Sequence, residues 1–143
     1  KERVEYLADL GVDVVIGTHP HVIRPYGMME RPDGKQMLVY YSLGNFVSGQ
    51  QGISQLLEGM ADMTFVKDPD TGEISIETYS MEPLVMHYEP GYSGYAVYPL
   101  EKYTEELAAA SGVHQETNED FSPESIQAYF EPYLKPQVFE RSE

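Results

Sequence analysis

The sequence contains no cysteine and no tryptophan, and it holds only 9 basic residues against 24 acidic ones. Without cysteine there is no disulfide framework, no thiolate metal site and no thiol nucleophile, so redox chemistry at sulfur is excluded. The scarcity of Lys and Arg, at a formal net charge of -15, excludes a nucleic acid partner, because a phosphate-contacting surface needs clustered cations. Long hydrophobic runs are missing too. No stretch approaches the roughly 20 apolar residues that span a bilayer. Lys1-Glu2-Arg3 leads into an amphipathic pattern rather than a signal-peptide core, and the chain is expected to be soluble. What remains, 41% apolar residues with 12 Gly and 10 Pro in 143 residues, is the composition of an ordinary globular domain.

The chain opens on Lys rather than Met and reads at once as the later part of a helix, so a boundary within a longer protein is expected. Val4, Leu7 and Ala8 fall at i, i+3 and i+4, and Gly11 stands where a C-terminal cap belongs. Val12 to Ile16 is a β-branched run broken only by Asp13, which predicts a strand buried on both faces of a helix-covered sheet. Helix, glycine and buried strand together indicate an α/β fold. An extended Val22 to Glu30, a turn at Arg31-Pro32-Asp33-Gly34 and an apolar Met37 to Tyr41 predict a hairpin. Ser48 to Gly59 reads as a loop with at most one helical turn. Met60 to Lys67 and Ile74 to Tyr79, joined by Asp68 to Glu73, form the clearest hairpin, with a further extended segment from Leu84 to Tyr88. Two short helices follow. The first has Leu100, Tyr103, Leu107 and Ala108 on one face. The second has Ile126, Tyr129, Phe130, Tyr133 and Leu134, with Ser122 as N-cap and Pro123 at the first position. His114 to Asp120, between them, is polar and expected to be mobile. This divides the chain into a body over residues 1–99 and an acidic helical tail over residues 100–143.

The sharpest chemical feature is His19-Pro20-His21, at the carboxyl end of the first strand, where α/β sheets usually build ligand sites. In an extended segment residues i and i+2 share a side, about 6 to 7 Å apart. Pro20 stiffens the segment and biases His19 toward extended backbone. Two imidazoles facing one space can serve one metal ion or flank a pair of ions; alternatively they are loop histidines with satisfied hydrogen bonds. A complete metal centre needs further donors, and the sequence does not single them out. His87 and His114 show no ligand spacing to the pair and are read as structural or solvent-facing.

Gly11-Val12-Asp13-Val14-Val15-Ile16-Gly17-Thr18-His19-Pro20-His21-Val22, followed downstream by Tyr40-Tyr41-Ser42-Leu43-Gly44-Asn45-Phe46, resembles the carboxyl-terminal half of the bacterial capsule synthesis protein CapA family, also called the poly-gamma-glutamate biosynthesis family. The resemblance runs from Lys1 to about Pro99. It implies a calcineurin-like metallophosphoesterase relationship: a four-layer α/β/β/α sandwich, here its carboxyl-terminal half, with a mixed sheet and hairpins and a two-metal site at the strand ends. His19 and His21 match the two histidines of the Gly-His-x-His phosphoesterase motif, one for each metal, although Thr18 separates Gly17 from His19 where that motif has no residue. By the same resemblance Thr18, Ser42 and Asn45 lie at the site and orient a phosphate or carboxylate oxygen; alternatively Gly44 and Asn45 serve only a turn.

The implied cofactors are divalent ions (Mn, Fe, Zn or Mg), bound weakly or not at all by this chain alone because the remaining ligands lie in an amino-terminal half of the same domain. That half is the first implied partner. An anionic polymer or phosphoester substrate and other envelope biosynthesis proteins are the others. The implied role is capsule or poly-gamma-glutamate biosynthesis or export at an extracytoplasmic, membrane-anchored location, with metal-dependent hydrolysis of phosphoester or amide bonds, or a non-catalytic binding module, as alternatives. Charge is uneven along the chain. Residues 1–59 hold 7 acidic and 5 basic residues, whereas residues 60–143 hold 17 and 4, so the histidine end is the part an anion can approach.

Overall fold

The computed structural model describes residues 1–142. It is an α/β chain with two sheets and several short helices. Helix α1 (Glu2–Asp9) ends at Leu10 and Gly11, as expected, and leads into strand β1 (Val14–Ile16). Strands β2 (Tyr26–Glu30) and β3 (Gln36–Tyr40) form the expected hairpin around the turn at Arg31 to Gly34. The first sheet runs β1-β3-β2-β7, with β1 parallel to β3 and β7 (Gln137–Phe139) parallel to β2. The second sheet is antiparallel, β4 (Leu57–Lys67), β5 (Ile74–Glu89) and β6 (Ser93–Pro99) in that order.

Alternation along β3 assigns the two faces of the first sheet. Met37 and Val39 join Val4 and Ala8 of α1 on one face. Leu38 and Tyr40 join Ile23, Leu57, Val85 and Met86 on the other, so the second sheet covers that side. The Tyr26 and Tyr40 rings stack at 5.1 Å. The Tyr40 hydroxyl donates to the Ser80 carbonyl at 2.7 Å, tying the two sheets together. Arg31, buried, forks onto Asp33 and reaches Asp13 and the Gly11 carbonyl, which pins the α1–β1 corner to the β2–β3 turn.

Several expectations are corrected. Strand β1 is shorter than Val12 to Ile16 and is not buried on both faces. It is the outermost strand of its sheet, with Val14 and Val15 half-buried and Ile16 52% exposed. The one helical turn allowed in the loop before Gly59 is α2 (Ile53–Leu56), but β4 begins at Leu57, ahead of the expected Met60. Strand β5 runs unbroken through Pro83, because Pro83 lies just outside the stretch paired with β6, where β5 has a neighbour on one side only.

The tail also departs from simple periodicity. A 3-10 turn at Leu100–Lys102 precedes α3 (Glu105–Ala110), since the Thr104 side chain accepts from the Leu107 amide and caps a new helix there. Helix α4 (Pro123–Phe130) has the expected Ser122 cap but stops before Tyr133, where Pro132 has no amide to continue it. The stretch after α3 includes a 3-10 turn, Gly112–Gln115. Tyr103, Phe121, Ile126 and Phe130 enter the same core cluster as Leu38 and Tyr40, and β7 pairs with β2.

Candidate functional site

The site forms where the segments after β1 and β3 run side by side. The Gly17 amide donates to the Tyr40 carbonyl at 2.8 Å, the Leu43 amide to the Gly17 carbonyl at 3.0 Å and the Arg24 amide to the Ser42 carbonyl at 2.9 Å. Ile23 bridges Leu43. The approach is close enough to require glycine at position 17, because a Cβ there would overlap the Tyr41 carbonyl oxygen. The two motifs singled out in the sequence therefore meet through their backbones before any side chain is considered.

The His19-Pro20-His21 segment is not extended. It turns, with His21 in the left-handed region at φ 57°. The i, i+2 argument therefore does not describe its geometry. The two exposed imidazoles nonetheless stay adjacent, with ring centroids 6.1 Å apart. Thr18 accepts at its carbonyl from the His21 amide, closing the turn.

Asn45 links the second motif to the first. Its Oδ1 lies 2.6 Å from His21 Nδ1. Its Nδ2 is surrounded by acceptors, Gln50 Oε1 at 2.9 Å, the Gln55 carbonyl at 3.3 Å and the His21 carbonyl at 3.4 Å. That environment fixes which end of the amide is the donor, so Oδ1 must accept and His21 Nδ1 must carry the proton. In the neutral tautomer this bond selects, the lone pair of His21 is on Nε2, the arrangement by which an oriented imidazole presents itself to a metal or a proton. Ser42 does not reach this point. It is fully buried and its hydroxyl accepts from the Gly44 amide, so it shapes the turn.

Thr18 and Asn45 border a cleft of about 330 Å³ together with Ile16, Phe46 and Met60. Ile16, Phe46 and Met60 are all substantially exposed. A larger cleft, about 660 Å³, is lined by Pro20, Arg24, Pro25, Tyr41, Phe139 and Glu140. Among the described residues Arg24 pairs with no carboxylate.

Sequence reasoning missed Gln50, Gln55 and Glu58. The first two hold the Asn45 amide, and Glu58 lies buried beneath Gly44. Glutamines in a Gly-rich stretch carry no motif, and only an acidic residue ahead of a strand hinted at Glu58. His87 and His114 lie elsewhere. His87 Nδ1 meets the Tyr103 hydroxyl at 2.9 Å in the core, where burial lowers its pKa, and His114 Nε2 meets the Ala108 carbonyl at 3.0 Å. No group of three or more His, Asp or Glu side chains with metal-holding geometry occurs among the described residues. No helix among these residues is long and apolar enough to cross a membrane.

No solved structure matches the chain. Residues 1–50 match the family model described as bacterial capsule synthesis protein PGA_cap. Over 44 residues the chain is 41% identical to the capsule biosynthesis protein CapA of Bacillus anthracis, a stretch covering 31% of this chain and 10% of that protein. Over 76 residues it is 30% identical to the PGA biosynthesis protein CapA of Bacillus subtilis (strain 168), covering 53% of this chain and 18% of that protein. The chain thus spans less than a fifth of the length of these relatives. The matched window contains α1, β1, the histidine loop and the Tyr-Ser-Leu-Gly-Asn-Phe turn, and over residues 1–50 the chain is similar to the bacterial capsule synthesis protein PGA_cap family.

Proposed function

We propose that the chain has a CapA-like role in the biosynthesis or export of an anionic capsule polymer such as poly-gamma-glutamate, and that its histidine loop supplies part of a metallophosphoesterase-like, divalent-metal site. The observation that carries this reading is the Asn45–His21 link, which engages His21 Nδ1 and leaves Nε2 as the ring nitrogen available to a ligand beside His19. Both motifs that meet there lie in the family-matched window. His19 and His21 are the donors this chain contributes. The carboxylates that would compensate a divalent charge come, in this reading, from an amino-terminal half of the same domain, as in a four-layer sandwich. A bound ion would polarise a phosphoester or amide oxygen, or lower the pKa of a bound water. Thr18 lines the adjoining cleft, where its hydroxyl orients an anionic oxygen, while Asn45, its amide committed to His21, Gln50 and Gln55, serves by holding His21. Arg24, without a carboxylate partner among the described residues, adds positive charge that draws a polyanion to this end of an acidic chain. In this reading the complete protein works outside the cytoplasm, anchored to the envelope beside other biosynthesis proteins.

The test has two arms. Polymer output is measured in cells whose own copy of the gene carries His19→Ala or His21→Ala, and Mn²⁺ or Zn²⁺ affinity and phosphoester hydrolysis are measured on the purified complete protein with the same changes. Loss of polymer with loss of metal binding supports the reading. Unchanged metal affinity in both variants removes the metal site, and unchanged polymer output removes the role.

A further inference from the structure

Glu58, the second residue of β4, is fully buried, and neither carboxyl oxygen makes a hydrogen bond. An unpartnered buried carboxyl is costly, and its position gives that cost a use. Gly44, at φ 79°, lies directly on it, so that a Cβ at position 44 would stand 3.4 Å from both Cα and Cγ of Glu58. The Gly59 amide donates to the Leu43 carbonyl at 2.8 Å, fastening the strand beside Glu58 to the start of the same turn. The Phe46 amide is the polar group that faces the carboxyl, although not at hydrogen-bonding geometry.

Phe46 itself is held at φ 70°, a left-handed conformation that a bulky residue keeps only where its surroundings impose it. The residue is 59% exposed, so side-chain packing does not supply that constraint. Between Gly44 and Phe46 stands Asn45, whose amide sets the His21 tautomer. We propose that Glu58 is a positioning residue: its buried carboxyl seats the Gly44–Phe46 turn and so holds the Asn45 amide against His21. The inference rests on the reading of His21 as a site residue only for its consequence in metal binding; the geometry it asserts is independent of that reading. Burial keeps the Glu58 carboxyl partly protonated near neutrality, which makes glutamine its closest replacement.

The experiment compares the protein with Glu58→Gln, Glu58→Ala and Glu58→Leu by ¹⁵N NMR of the His21 ring and by Mn²⁺ titration, foldedness being read from amide dispersion. In the wild type and in Glu58→Gln alike, His21 keeps its proton on Nδ1. In the alanine and leucine variants the Nε2-protonated tautomer becomes the major form, and Mn²⁺ affinity falls about tenfold. Glu58→Leu restores the volume without the carboxyl, so it decides the matter if the alanine variant does not fold. An unchanged His21 tautomer in a folded alanine or leucine variant overturns the proposal, since a merely structural residue would lower stability and leave the tautomer alone. A wild-type protein that binds no Mn²⁺ but shows the tautomer change in the variants supports the positioning role while removing the metal reading.

Discussion

His21 Nδ1 donates to Asn45 Oδ1 at 2.6 Å, joining two loops separated by 24 residues of sequence. The bond does more than close a gap. Because the Asn45 Nδ2 lies among three acceptors, it selects for neutral His21 the tautomer with its proton on Nδ1.

Replacing Asn45 by alanine should therefore uncouple His21 without touching it. The metal affinity of the complete protein is expected to fall by about 10- to 100-fold, as when a partner that orients a ligating histidine is lost. Isothermal titration with Mn²⁺ or Zn²⁺ measures this directly. An affinity that survives the change would show that His21 is oriented by something else, or does not ligate.

Gly17→Ala tests the backbone contact that brings the loops together. The added methyl meets the Tyr41 carbonyl, and since that oxygen belongs to a strand extension it cannot swing aside. Overpacking of this kind costs about 1–3 kcal/mol. Urea denaturation should register that loss, and the His21–Asn45 bond should weaken with it. A fully stable Gly17→Ala protein would contradict the close approach.

Much of the architecture was legible in the sequence because local rules and tertiary context agree there. The α1 periodicity, the Arg31 to Gly34 turn, the long acidic hairpin and the Ser122-Pro123 cap each carry their own stereochemistry. Strand β1 misled because a β-branched run reports apolarity but not how many neighbours a strand has. The expected helix from Leu100 ignored Thr104, whose hydroxyl captures the Leu107 amide and restarts the helix. Strand β7 was missed because three residues carry no period, and only the parallel edge of β2 selects them. At the site, His19, His21 and Asn45 were singled out by motif, and the structure brings them side by side. Gln50 and Gln55 could not be, since their role is to satisfy Asn45 and exists only once the turn is folded.

Tyr40→Phe addresses the contact between the sheets. The hydroxyl donates to the Ser80 carbonyl at 2.7 Å, and burial raises its pKa to about 12, so it remains a donor throughout the accessible pH range. Removing it while keeping the ring stacked on Tyr26 should cost about 1 kcal/mol, the net worth of one such bond. Thermal or chemical unfolding of the Phe variant checks the value. No loss would mean that the Ser80 carbonyl is equally well served by water.

The pH dependence of stability follows from Glu58. Burial raises its pKa from the ordinary 4.5 to about 7. For a carboxyl whose folded pKa lies above its unfolded one, the unfolded chain releases the proton first. Stability is then unaffected below about pH 4.5, declines between 4.5 and 7, and stays reduced above 7. A gap of that size corresponds to about 3 kcal/mol. Other carboxylates work the opposite way: the Arg31 guanidinium holds Asp33 low, and the Thr71 and Asp70 amides hold Asp68 low. Their contribution favours the fold as pH rises and is common to wild type and variant. The difference between the protein and Glu58→Gln therefore isolates the buried group. Denaturation of both at about pH 4.5, 6 and 8 should show equal stability at the acid end, with the glutamine variant gaining up to about 3 kcal/mol at the alkaline end. Parallel curves across that range would mean that the carboxyl reaches water as the turn opens, and that the buried geometry is not the state that governs unfolding.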